Sequence, residues 1–124
     1  VYALDRIVEL KTTENSFTLD PNFDADRFFA ACYGVIVDSK CLTEVVRIRV
    51  DNKQRNYLRT LPLHRSQSEI EVSEDYSVFE YALSPTLDFK QALLSLGNSV
   101  EVLSPKTLRE QMCKAIEQMH ELYK

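Results

Sequence analysis

Thr43-Glu44-Val45-Val46-Arg47-Ile48-Arg49-Val50-Asp51 decides how this chain is read. Successive side chains of a strand point to opposite faces, so Val46, Ile48 and Val50 share one side while Val45, Arg47 and Arg49 share the other. The first side is expected inside and the second partly exposed. Asp51 with Gln54 three residues on forms an approximate capping box, and Tyr57, Leu58 and Leu61 give one apolar side to a helix that must stop before Pro62. The unit is a strand followed by a helix.

Downstream, Glu69 to Ser73 alternates around Ile70 and Val72, Glu74-Asp75 supplies a turn, and Phe79, Tyr81 and Leu83 share one face of a run from Tyr76 to Leu83. These residues predict a hairpin, with Tyr57, Phe79 and Tyr81 in the core. Ser84-Pro85-Thr86 opens a helix in which Phe89, Ala92, Leu93 and Leu96 recur at helical spacing, and Gly97 stands where a helix ends. A short strand, Ser99 to Leu103, precedes Ser104 and Pro105, an N-cap and first-turn proline for a last helix along Leu108, Met112, Ala115, Ile116 and Met119. The order from Thr43 to Leu103 is βαββαβ. The expected fold class is α+β, a ferredoxin-like βαββαβ sheet with helices on one face plus a C-terminal helix.

Upstream, Tyr2, Leu4, Val8 and Leu10 alternate against Asp5 and Glu9, predicting a strand over residues 2–10 that has Arg6 on its apolar side. Phe17-Thr18-Leu19 is a candidate partner strand, and Asp24 or Asp26 a cap for a short helix through Arg27 to Cys32 that Gly34 ends. The absent initiator Met, with this pattern running from the first residue, predicts a piece of a longer protein. The longest uncharged apolar run, Phe28 to Val37, has ten residues, against about 20 for a membrane span. The start lacks the basic and apolar regions of a signal peptide. No membrane association is expected.

The 124 residues are 44% hydrophobic and 27% charged, a composition that folds rather than staying disordered. Cys32, Cys41 and Cys113 are odd in number and lack C-x-x-C spacing, which suits reduced thiols in a cytoplasmic protein. With glycine only at positions 34 and 97, neither a P-loop nor a dinucleotide loop can be written. His64 and His120 stand apart with no second ligand nearby, and the acidic stretch Glu69 to Asp75 lacks a calcium-loop pattern. No cofactor, metal or catalytic residue is expected, and the chain is read as no enzyme.

Net charge is −4, yet its distribution is uneven. Residues 40–65 hold seven basic against two acidic side chains, and residues 66–88 hold six acidic and no basic ones. Five of the basic seven are arginines, suited to bidentate contact with phosphate. Two readings of Arg47 and Arg49 stand side by side. They face an anionic ligand, or they pair across strands with Glu80 and Glu101, which the ferredoxin-like strand order places beside them. Arg6 must snorkel, pair with an acid or enter a pocket. His64, Arg65, Ser66 and Gln67 follow Pro62 in a polar loop able to read a ligand.

Tyr2-Ala3-Leu4-Asp5-Arg6-Ile7, Tyr33-Gly34-Val35, Pro62-Leu63-His64-Arg65-Ser66-Gln67, and Leu93 to Gly97 leading to Val100-Glu101-Val102-Leu103-Ser104-Pro105 with Leu108-Arg109 together resemble a WYL-domain transcriptional regulator of bacteria. The resemblance implies that residues 1–37 carry the last strands and short helix of an Sm-like β-barrel, and that residues 40–124 are the family's ferredoxin-like C-terminal extension. It further implies an effector-sensing and dimerising module with a nucleotide-like or single-stranded nucleic-acid ligand, and puts Arg6 near the basic pocket; the charge and loop readings add Arg47, Arg49, His64, Arg65 and Gln67 as candidate contacts. The Trp-Tyr-Leu tripeptide that names the family is absent. Duplex DNA would be met only through a helix-turn-helix, which this chain does not contain. The alternative is a purely structural homodimerisation module without ligand.

Overall fold

Val46, Ile48 and Val50 are wholly buried while Val45, Arg47 and Arg49 are exposed, so the deciding stretch forms a two-sided strand, β1 (Glu44–Asp51). The structure is a computed structural model and describes residues 3–124. After β1 come α2 (Arg55–Thr60), β2 (Ser68–Val72), β3 (Tyr76–Leu83), α3 (Leu87–Ser95), β4 (Val100–Ser104) and α4 (Lys106–Leu122), with a short α1 (Ala25–Phe28) upstream. The strands form one antiparallel sheet in the order β2-β3-β1-β4. This is the expected ferredoxin-like arrangement. Its core joins Val46, Ile48, Val50, Phe79, Tyr81, Leu83 and Val102 from the sheet to Leu58, Phe89, Leu93, Leu108 and Met112 from the helices.

Local signals act as read at several joints. The Asp51 carboxylate accepts a hydrogen bond from the Gln54 amide at 2.7 Å, which holds its pKa below the ordinary value. Gly97 takes φ +60, a left-handed conformation that L side chains rarely adopt, where α3 ends. The last helix begins at Lys106 with no side-chain cap, so Ser104 is not the N-cap the sequence suggests; it pairs with Arg47 as the end of β4.

Three inner details depart from expectation. Tyr57 is 70% exposed, because α2 has only six residues and points Leu58 alone into the core. Ile70 and Val72 are exposed too: β2 is an edge strand, and its pairing with β3 slips between Glu69 and Glu71, which leaves Ile70 without a partner. The extra residue sends Glu69 to the helix face and Glu71 to the open face, where an unbroken alternation would keep both on one side.

The larger departure lies upstream. Among described residues, 3–41 contain no strand: Leu4–Arg6 is a 3-10 turn, Val8 and Leu10 are exposed, and Phe17 to Leu19 pairs with nothing. Tyr2, the first residue of the expected strand, lies outside the described residues. An isolated two-stranded hairpin gains too little in water to persist, and no third strand is within reach here. The short helix does form, as Ala25–Phe28 rather than Arg27–Cys32, with Asp24 as its cap through the Arg27 amide at 3.2 Å.

Candidate functional site

The basic block is not a free patch. Arg47 Nε meets Glu80 at 2.8 Å across β1 and β3, and Arg49 meets Glu101 at 2.7 Å across β1 and β4. These are the cross-strand pairs that the strand order implies. Arg59 from α2 makes a fork to Glu69, Nε to Oε2 at 2.9 Å and Nη2 to Oε1 at 2.7 Å, made possible by the slip in β2. Arg55 Nη1 donates to the carbonyls of Ser73 and Tyr76 at 2.6 and 3.3 Å, closing the β2–β3 turn. Three of the seven basic side chains of residues 40–65 thus meet a carboxylate, two of them in residues 66–88 and one at Glu101, while Arg55 is held by backbone carbonyls.

These contacts leave electrostatic traces. The Arg59 guanidinium holds the Glu69 carboxyl below its ordinary pKa, and Arg109, 2.7 Å from Glu101, does the same there with help from Arg49. An anion approaching Arg47 or Arg49 competes with a carboxylate already in place.

The loop after Pro62 is turned inward. Gln67 Oε1 accepts from the Leu63 amide at 3.1 Å and from the buried Tyr81 hydroxyl at 2.8 Å, while its Nε2 donates to the Leu58 carbonyl at 2.7 Å. Burial raises the Tyr81 pKa, so that hydroxyl keeps its proton and donates it. His64 is buried, with Nδ1 2.7 Å from Ser66 Oγ and its ring against the backbone of Ala30 and Cys32; burial lowers its pKa. Arg65 is exposed and donates to the carbonyls of Asp26 at 3.0 Å and Ala30 at 3.4 Å. His64, Arg65 and Gln67 thus come together, and Arg47 and Arg49 share the far sheet face. Arg6 is exposed on the upstream turn, apart from both groups.

The apolar side expected for the last helix borders a groove beside β4. Leu93, Leu94, Val100, Val102, Met112, Cys113, Ile116 and Met119 line an apolar groove of about 460 Å³ between α3, α4 and the edge strand. Leu108 and Met112 are buried, yet beyond them Ile116 is 54% exposed, and Met119 and Leu122 are exposed as well. Leu108, Met112, Ala115, Met119 and Leu122 follow 4-3-4-3 spacing, the a/d seam of a helix that packs against another helix.

A family model describes the same stretch that builds the sheet and this helix: the WCX domain matches residues 42–120. The chain belongs to the WCX-domain family. The WCX domain is the C-terminal part of WYL-type regulators, and the match runs from just before β1 through nearly all of α4. No curated protein matches the chain. Among described residues no group of His, Cys, Asp and Glu is placed to hold a metal ion, and no helix is long and apolar enough to cross a membrane. Cys32, Cys41 and Cys113 form no disulfide; burial, then Asp38, raises the pKa of Cys41.

Proposed function

We propose that this WCX domain is a non-catalytic regulatory module that pairs with a second copy of itself through α4. The observation that carries this is the unpartnered seam on the second half of α4, continuous with the groove beside β4. The seam's charges favour a second copy over an unrelated partner. Residues 106–114 carry Lys106, Arg109 and Lys114 against Glu110, and residues 115–122 carry Glu117 and Glu121 with no Lys or Arg. An antiparallel pair whose helices cross near Lys114 sets the outward charges of each basic half against an acidic half. The layout also opposes the helix macrodipole, which favours acids at the N-terminus and bases at the C-terminus.

Sedimentation velocity over a wide concentration range tests it, comparing the chain with an Ile116→Glu, Met119→Glu double variant. The two side chains are 54% and 46% exposed, and circular dichroism checks that the variant keeps its fold. The expected result is a concentration-dependent dimer that the double variant abolishes. A monomer throughout, or a dimer indifferent to the two changes, overturns the proposal.

A second reading keeps an anionic effector, nucleotide-like or single-stranded nucleic acid. It is supported by Arg6, exposed and in none of the ion pairs among the described residues. Salt-sensitive binding of a short single-stranded DNA, lost on Arg6→Ala, is its expected signature. Equal binding by both chains counts against it.

A further inference from the structure

Most described side chains before Thr43 are exposed, and the exceptions cluster: Ala30 to Tyr33, Ile36 and Cys41. The stretch from Asp26 to Ile36 is held to the domain by a short set of contacts, of which two reach inward: the Tyr33 ring packs on the core, and the buried His64 ring meets the backbone of Ala30 and Cys32. Arg65 grips the carbonyls of Asp26 and Ala30. Ser84, just after β3, donates its amide to the Ala31 carbonyl at 2.8 Å, with Cys32 beside it as an isolated parallel bridge. Tyr33 lays its ring edgewise against Phe89, centroids 5.4 Å apart, and the Asp88 carboxylate accepts from the Ile36 amide at 3.4 Å.

Gly34 fits because it has no side chain. A Cβ there would lie 2.6 Å from Asp88 Oδ2, and that carboxylate is also held by the Phe89 amide at 2.9 Å and the Thr86 hydroxyl. None of these contacts is a sheet hydrogen bond of β1 to β4, whose pairing is complete without residues 26–36. The gripping loop, by contrast, is tied into the core through Gln67, which bonds Tyr81 and Leu58.

We propose that residues 26–36 form a strap that opens and closes on the domain without unfolding the sheet, with the His64–Gln67 loop as its fixed clasp. Opening frees the upstream residues from the WCX domain, and closing fixes where they leave it. The strap is thus a joint that converts a local docking event into the position of everything upstream. Regions held by few buried contacts open at a lower free-energy cost than core strands, and a joint of this kind draws on that difference. The inference does not depend on pairing through α4.

Native-state hydrogen exchange on the whole chain tests it, read at the amides of Ile36 and Ser84 against those of Ile48 and Phe79. In the unaltered chain the strap amides are expected to exchange faster than the sheet amides. Arg65→Ala removes the grip and Gly34→Ala displaces the Asp88 carboxylate; at least one should speed the strap amides about tenfold or more with the sheet amides unchanged. Arg47→Ala, remote from the strap, should leave it alone. One common rate for strap and sheet, no response to either variant, or an equal response to Arg47→Ala overturns the proposal. In those cases the segment is either part of a single cooperative core or held by something else.

Discussion

Residues 4–10 and residues 44–51 both alternate apolar and polar side chains, yet only the second stretch turns alternation into a strand. Val46, Ile48 and Val50 are wholly buried, while Val8, on a similar pattern, is fully exposed. The difference lies in neighbours. β1 has β3 on one side and β4 on the other, with α3 behind, whereas the upstream stretch has no sheet to join. Alternation states which face a strand would bury; it does not supply the partner that makes the burial favourable.

The largest expected effect would break this contrast if it failed. Phe79→Ala should cost about 3–5 kcal/mol in urea unfolding, as for an aromatic removed from a packed core, and Phe28→Ala should stay within about 0.5 kcal/mol, as for an exposed side chain. Equal losses would mean that the two regions fold as one. Next comes Gln67→Ala, which strips partners from the Leu63 amide, the Leu58 carbonyl and the Tyr81 hydroxyl and should cost about 2–3 kcal/mol. A near-neutral result would show that the clasp is not anchored in the core.

A smaller effect depends on pH. The His64 pKa is lowered in the folded state from an ordinary value of 6.5, so above that value both folded and unfolded chains are neutral there. Below it the unfolded chain takes the proton first, and stability falls as the pH drops. Between pH 7.5 and 5.5 the melting temperature should fall further for the unaltered chain than for His64→Gln. The lowered Glu69 and Glu101 carboxyls exert their effect in a separate window, losing their contribution only as the pH falls below about 4.5. Identical slopes for the two chains would remove His64 as the cause. The smallest change is expected for Arg59→Ala, an exposed partner of Glu69, and added salt should shrink it further. A loss that salt does not touch would assign Arg59 a packing role instead.

The six expected ligand residues show where legibility stopped. Arg47 and Arg49 could be placed beside Glu80 and Glu101 from strand order alone, because that order fixes which strands touch. Gln67 and His64 could not be read as internal, since a polar loop looks the same in sequence whether it faces water or closes on itself. The Arg59–Glu69 fork was hidden for another reason: it depends on the slip in β2, which reverses the facing of one glutamate relative to the next. The α4 seam was legible as spacing, but its exposure was not.

By itself, the sequence determined the order of the elements, the buried face of β1 and β3, the turn at Asp51, the helix end at Gly97, and the α+β class. Each rests on contacts between near neighbours or on a period that a short window reveals. Tertiary structure alone decided that Arg59 forks onto Glu69, that residues 3–41 form no strand, that the loop after Pro62 clasps the upstream chain, and that half of α4 stands uncovered. Those outcomes depend on which distant segments meet, and the free energy of a charge or an apolar face is set by what it meets.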